Sequence, residues 1–327
     1  MNKIAIFRAL YLGDFLCSVP ALRALRKFYP DAEITLIGLS QMSDLAKRYS
    51  RYIDHFVPFP GFPLLSDTPF DPDLFQEFLE KIRSKEFDLI LQMQGNGSII
   101  NNLLKSFNAK AVAGFCETEE EINDEFIIYP NDLHEIQRHL ALLNHLGIPS
   151  NGEQIDFPIS EKDEEEFKSA GISLNRDYVC IHPGSKAKWR QWPVQYFARL
   201  GDYLAAKGFH IVITGVNTEI GLAKELSKVL KVDSTIAAGK LSLGATAVLL
   251  SKAKFLLTNC TGISHLAAAI EVPSLVISMD GEPNRWGPLN TKIHRTIDWK
   301  QSPDYNAVFK EVENIPFIES HTFSAEG

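Results

Sequence analysis

Apolar residues along this chain fall into short runs separated by stretches with helical spacing. The runs lie at 4–9, 33–38, 87–93 and 110–115, and after a break at 178–182, 210–214, 254–259 and 274–279. Short, near-continuous apolar runs predict strands buried on both faces, as in parallel sheets. Amphipathic stretches at 20–29, 72–84, 133–146, 194–207 and 219–230 predict helices between them. Such alternation predicts doubly wound α/β architecture. It pauses at Ile148-Pro149-Ser150-Asn151-Gly152, and a linker-like stretch, Asp156-Phe157-Pro158-Ile159, follows. The acidic run 161–166 then reads as a solvated helix start, where the helix dipole favours negative charge. Alternation restarts at Tyr178. Two similar α/β halves are expected, 1–155 and 156–327, hinged near residue 155; the tail after Ile297 carries little pattern.

Composition narrows the class. At 327 residues the chain suits two domains. Its 45% hydrophobic and 23% charged residues are those of a globular protein, not a disordered or fibrous one. The net charge of −8 argues against general nucleic-acid binding. Four isolated cysteines, Cys17, Cys116, Cys180 and Cys260, form no C-x-x-C pair, so reduced thiols in a cytoplasmic protein are expected. Met1-Asn2-Lys3-Ile4 runs directly into the first strand pattern without a secretory core. No stretch has the roughly 18 uninterrupted apolar residues of a membrane span.

Candidate chemistry collects where strands give way to helices, the edge at which open parallel sheets bind ligands. Asp14 follows the first strand, beside Gly13, which lets a ligand approach the backbone. A lone Asp there is read first as a helix cap and second as a catalytic base. In the second half, "HPGSKAKWRQWP" places Pro183-Gly184-Ser185 in a tight turn and packs Lys186, Lys188 and Arg190 into the same loop. Turn N–H groups with three cations suit a diphosphate; a solvated basic loop is the alternative. "NCTGISH" offers a second anion site, with Thr261, Gly262, Ile263 and Ser264 presenting N–H groups at a helix start. His265 follows, either packed in the core or touching a phosphate or sugar. Glu219, after Gly215, either complements a helix dipole or holds the vicinal hydroxyls of a ribose. Asp71-Pro72-Asp73 imitates a metal-binding D-x-D, yet Pro72 suits a first helical turn and the capping reading wins. "GNGS", 95–98, lacks the full dinucleotide fingerprint.

Taken together, "GDFLCSVPALRALR", "HPGSKAKWRQWP", "AAGKLSLGATAVLLSKAKFLLTNCTGISHLAAA" and "RWGP" resemble, in order, the segments of glycosyltransferase family 9, the ADP-heptose:lipopolysaccharide heptosyltransferase family. The resemblance implies a GT-B-like fold, two Rossmann-like doubly wound domains facing across a cleft, with the first half on the acceptor side and the second holding the nucleotide sugar. It implies inverting transfer without a metal or resident cofactor, the nucleotide sugar being a substrate and ADP the implied nucleotide. Asp14 matches the general base. Lys186 and Arg190 match the basic phosphate loop, with Ser185 and Lys188 beside them. Glu219 falls where the family binds ribose, Gly239 and Lys240 near the base, Thr261 and Gly262 at the phosphate turn, and His265 at its following histidine.

One departure stands out: Cys260 replaces the aspartate of the family's D-T-G, and a thiol neither reaches a sugar nor orders a phosphate turn as a carboxylate would. The resemblance implies a cell-envelope glycan or glycolipid acceptor and, through it, peripheral contact with the cytoplasmic face of the inner membrane; "PFPGFPLL", 58–65, reads equally as a packed loop. Rivals to transfer are an epimerase or hydrolase of the same fold and a catalytically silent nucleotide-sugar-binding module.

Overall fold

The computed structural model describes residues 1–65 and 69–315, and the chain divides into two compact units, Met1–Pro158 and Ile159–Gly327. The last residues of the first unit are fastened to it. Arg23 pairs with Asp156 at 2.9 Å, the Tyr49 hydroxyl donates to the Asp156 carbonyl at 2.7 Å, and Arg48 donates to the Pro158 carbonyl at 2.7 Å. The division thus falls three residues past the expected 155.

The first unit contains β1 (Lys3–Phe7), α1 (Leu12–Phe28), β2 (Glu33–Leu39), α2 (Ser43–Arg48), β3 (His55–Phe59), α3 (Pro72–Arg83), β4 (Leu89–Gln92), α4 (Ile100–Lys105), β5 (Ala111–Cys116), β6 (Phe126–Ile128) and α5 (Glu135–His145). Its strands form one parallel six-stranded sheet in the order β3-β2-β1-β4-β5-β6. The second unit contains α6 (Glu161–Ser169), β7 (Tyr178–His182), α7 (Val194–Ala206), β8 (His210–Ile213), α8 (Ile220–Val229), β9 (Ser234–Ile236), α9 (Leu243–Ser251), β10 (Phe255–Asn259), α10 (Gly262–Ala269), β11 (Ser274–Ser278), α11 (Pro283–Trp286), β12 (His294–Asp298) and α12 (Tyr305–Glu313). Its sheet runs β12-β11-β10-β7-β8-β9, again parallel. Read outward from its first strand, each sheet has the Rossmann order 3-2-1-4-5-6, which puts the topological switch between β1 and β4 and between β7 and β10.

Local chemistry explains the helix starts. Ser160 caps α6: its hydroxyl accepts from the Asp163 N–H while Asp163 reaches back to the Ser160 N–H at 2.8 Å, a reciprocal capping box. Asp71 caps α3, accepting from the Asp73 and Leu74 N–H groups at 3.0 and 3.2 Å. That geometry accounts for the D-x-D as a helix cap. The first helix departs from expectation: α1 begins at Leu12, not at Pro20, which lies buried in its interior. Burial of Phe15, Leu16, Val19 and Leu22 on one helix holds the turn through the proline, overriding its preference for a first-turn position. In the 58–65 loop, Phe59 is core, the Phe62 ring packs with Phe70 and Phe75 at 5.6 and 5.2 Å, and Leu64 is exposed. Among the described residues no helix is long and apolar enough to cross a membrane.

Candidate active site

In the first unit, the carboxyl edge beside the switch point carries a network of buried charge. Asp14 is the third residue of α1, whose N-cap is Tyr11; it is therefore not the cap residue itself. Its carboxylate nonetheless takes hydrogen bonds from the backbone of Tyr11 and of Asp14, so it serves the helix start from within. About a quarter of its side-chain surface stays accessible. Burial raises its pKa above the usual carboxylate value; the Arg8 charge opposes that shift and the Glu135 charge adds to it. Gly13 occupies the second helical position and itself adds no side chain beside the carboxylate.

Arg8, just past β1, is buried and holds this edge together. Its Nε donates to the Asp14 carbonyl at 2.7 Å, its Nη1 to the Met93 carbonyl, and its Nη2 lies 3.2 Å from Glu135 Oε1 and 3.9 Å from Asp14 Oδ1. Glu135, at the start of α5, also pairs with Arg138 at 2.9 Å. His139, one turn on, stands 3.6 Å from Glu135, and burial drives its pKa down to about 4, so the ring is neutral at physiological pH. Across the switch point, Gln94 Oε1 accepts from the Ala9 N–H at 2.7 Å. Gly97, in the "GNGS" turn, has φ +99°, and a Cβ there would meet the Phe115 carbonyl at 2.1 Å; this glycine serves packing against β5. Sequence reasoning missed Arg8, Glu135, Arg138 and His139. A signal for Arg8 was present: it is the cation that ends an otherwise apolar run.

In the second unit, the same edge is arranged for an anion. His182 ends β7, and Pro183-Gly184-Ser185 turns the chain into the basic loop. Asn259, fully buried at the end of β10, fixes that loop. Its amide donates to the Pro183 and Gly184 carbonyls at 2.7 and 3.2 Å, and its Oδ1 accepts from the Trp192 N–H at 2.9 Å. Gln191 Nε2 closes the loop on the Ser185 carbonyl at 3.0 Å. Lys186 and Lys188 are exposed on this frame, and Arg190 is partly so, its guanidinium over the exposed Trp189 ring. Asn259 was also missed, although a polar residue ending the run "FLLTN" was its visible trace.

Thr261 is the N-cap of α10 and Gly262 its first residue, so this turn follows β10, the strand hydrogen-bonded to β7. The Thr261 side chain makes no capping hydrogen bond, and the N–H groups of the first turn point past the helix end. His265 is buried with its ring 6.2 Å from that of Trp286, edge to face. Glu219, the N-cap of α8, accepts from the Val216 N–H at 2.9 Å, and its Oε2 lies 3.5 Å from His182 Nε2. A Cβ on Gly184 would come within 2.1 Å of a Glu219 carboxylate oxygen: the glycine of the basic loop is what leaves room for this carboxylate. Gly239, at φ +73°, packs on the same turn, since a Cβ there would meet Ile220 and Asn217 at 2.5 and 2.8 Å; Lys240 follows, exposed. The structure thus gathers Ser185, Lys186, Lys188, Arg190, Glu219, Gly239, Lys240, Thr261 and Gly262 along the carboxyl ends of β7, β8, β9 and β10. Cys260 is buried, and its thiol is pushed up to about 12, by burial first and then by the charge of Asp280.

Comparison with known proteins bears on the family and the fold. The model of glycosyltransferase family 9 (heptosyltransferase) matches residues 75–311. The lipopolysaccharide core heptosyltransferase OpsX of Haemophilus influenzae is 21% identical over 88% of this chain and 82% of its own. Among solved structures, the ADP-heptose LPS heptosyltransferase II of Escherichia coli superposes with a TM-score of 0.76 at 19% identity, covering 98% of this chain and 100% of that one. The E. coli heptosyltransferase WaaC, solved with ADP, gives 0.70 at 19% identity over 98% and 99%.

Proposed function

This chain belongs to glycosyltransferase family 9 and is a glycosyltransferase, and from that premise we propose that it moves a heptose or related sugar, with inversion, from an ADP-linked donor to a lipopolysaccharide-type or other cell-envelope glycan. An acceptor hydroxyl attacks the anomeric carbon and gives its proton to Asp14, while the bond from that carbon to the diphosphate breaks and ADP leaves. A carboxyl group whose pKa is raised by burial is a stronger proton acceptor than a solvated one. The charge growing on the diphosphate falls to the N–H groups of Thr261, Gly262 and Ile263 and to Lys186, Lys188 and Arg190. No metal has a part in this scheme. Glu219 takes the ribose hydroxyls, and Gly239-Lys240 flanks the base. ADP as the nucleotide is supported by one solved relative, the E. coli heptosyltransferase WaaC with ADP.

The observation that carries the reading is the frame built by Asn259, which ties the basic loop to the strand preceding the phosphate turn. The experiment is product analysis by mass spectrometry with ADP-heptose and other nucleotide sugars plus truncated lipopolysaccharide acceptors. Sugar transfer from the ADP-linked donor is expected. Donor hydrolysis or epimerisation without transfer, or binding without turnover, would replace this reading with one of its rivals.

A further inference from the structure

Cys260 leaves the end of β10 without the carboxylate that the resemblance expects. With its thiol pushed up to about 12 it is neutral at physiological pH and cannot stand in as an anion. A buried carboxylate nevertheless stands beside it, on the neighbouring strand. β10 and β11 run parallel with Asn259 opposite Ile277, and the Cys260 N–H donates to the Ile277 carbonyl at 2.8 Å. Two residues past the end of β11 comes Asp280, whose side chain is 5% exposed. Oδ1 accepts from the Ser278 hydroxyl at 2.7 Å and from the Glu282 N–H at 3.3 Å. Oδ2 lies 3.6 Å from Arg190 Nη2. A carboxylate so withdrawn from water persists only when paired and hydrogen-bonded, and its cationic partner here is the arginine of the basic loop.

We propose that Asp280 is a positioning residue: it supplies from β11 the carboxylate that Cys260 lacks on β10, and holds the Arg190 guanidinium toward the donor's phosphates. The inference rests on the donor reading above. Arg190 is 40% exposed at its side chain, and its Nε lacks a hydrogen-bond partner. Without Asp280 the long side chain would sample many rotamers, still reaching a diphosphate but no longer fixed before the transition state. The same carboxylate repels the donor's phosphates in the ground state. Asp280 therefore acts on kcat rather than on donor affinity.

The test moves the charge between the two strands. In Asp280→Asn, kcat should fall about 10- to 100-fold, with ADP affinity by calorimetry unchanged or higher. Adding Cys260→Asp to Asp280→Asn should restore most of kcat. Normal kcat in Asp280→Asn, or no recovery in the double variant, overturns the proposal. Should Asp280→Asn fold poorly, Cys260→Asp alone decides: two adjacent carboxylates beside Arg190 must share a proton, so the kcat–pH profile should gain a new acid limb, and an unchanged profile overturns the proposal. Absence of ADP binding to the wild-type protein would instead strike the donor reading itself.

Discussion

The two units share one strand order and one crevice position, yet their carboxyl edges are built from opposite materials. At β1 and β4 the edge is a buried charge network, Arg8 with Asp14, Glu135 and Arg138, in which burial raises the Asp14 carboxyl above its ordinary pKa against the opposing charge of Arg8, while part of its surface stays accessible. At β7 and β10 it is a glycine turn, an uncapped helix start and exposed cations, tied together by one buried amide. The scaffold fixes where a ligand can sit; the residues just past each strand decide what it is. A proton acceptor needs burial and like charge nearby, while a diphosphate needs N–H groups and cations left accessible. One edge cannot readily be both, and duplication of the fold lets each unit specialise.

The largest expected effect divides the units through Asp14. Asp14→Asn keeps the shape and the ability to accept from the Tyr11 N–H, but cannot take a proton at neutral pH. Loss of a general base costs roughly 10²–10⁴-fold in turnover, while ADP affinity, which the proposal assigns to the second unit, should stay the same. Stability should not fall. Because the folded-state pKa is raised, the group's favourable contribution is present below its ordinary value and lost as pH rises through the folded one. Asparagine carries no charge to desolvate, so the burial that opposes ionisation of Asp14 does not oppose it. Near-normal turnover, or weakened ADP binding, in this variant would break the comparison.

A smaller effect tests the other edge. Lys186→Ala with Arg190→Ala removes two charge-assisted contacts, each worth about 1.5–3 kcal/mol, so ADP affinity should drop on the order of 100-fold or more; the melting temperature should fall as well, because Arg190→Ala leaves the buried Asp280 carboxylate without its cationic partner. Titration calorimetry reads this directly. Unchanged affinity would mean that the basic loop is only a solvated surface.

How much of this was legible beforehand follows from burial. The eight strands visible as apolar runs are the inner four of each sheet; β3, β6, β9 and β12, which left no clear run, are the four edges. Inner strands are covered on both faces and must be apolar throughout, whereas the edges are half open, as in β9, where no residue is fully buried. The anion site was legible for a similar reason: glycines and cations after a buried strand are a local pattern. The network around Asp14 was not, because Arg8 and Glu135 are 127 positions apart and meet only when α5 packs against α1. Asn259 and Asp280 likewise act through strands that become neighbours only in the folded sheet.

The smallest effect concerns a carboxylate that belongs to neither edge. Asp71 and Asp73 imitate a metal-binding pair, and if they bound a metal the comparison would need a third chemical centre. Asp71 instead accepts the Asp73 and Leu74 N–H groups at the start of α3. Replacing an N-cap Asp by Ala costs about 1 kcal/mol, whereas Asn caps nearly as well. Asp71→Ala should therefore melt a few degrees lower and Asp71→Asn about as the wild type, with turnover in both unaltered by excess chelator. A metal role reverses that order: Asn would abolish turnover as fully as Ala, and chelator would abolish it in the wild type, with rescue by magnesium or manganese. Melting curves and chelated assays on the two variants separate the outcomes, because capping distinguishes Asn from Ala whereas loss of a charged metal ligand does not.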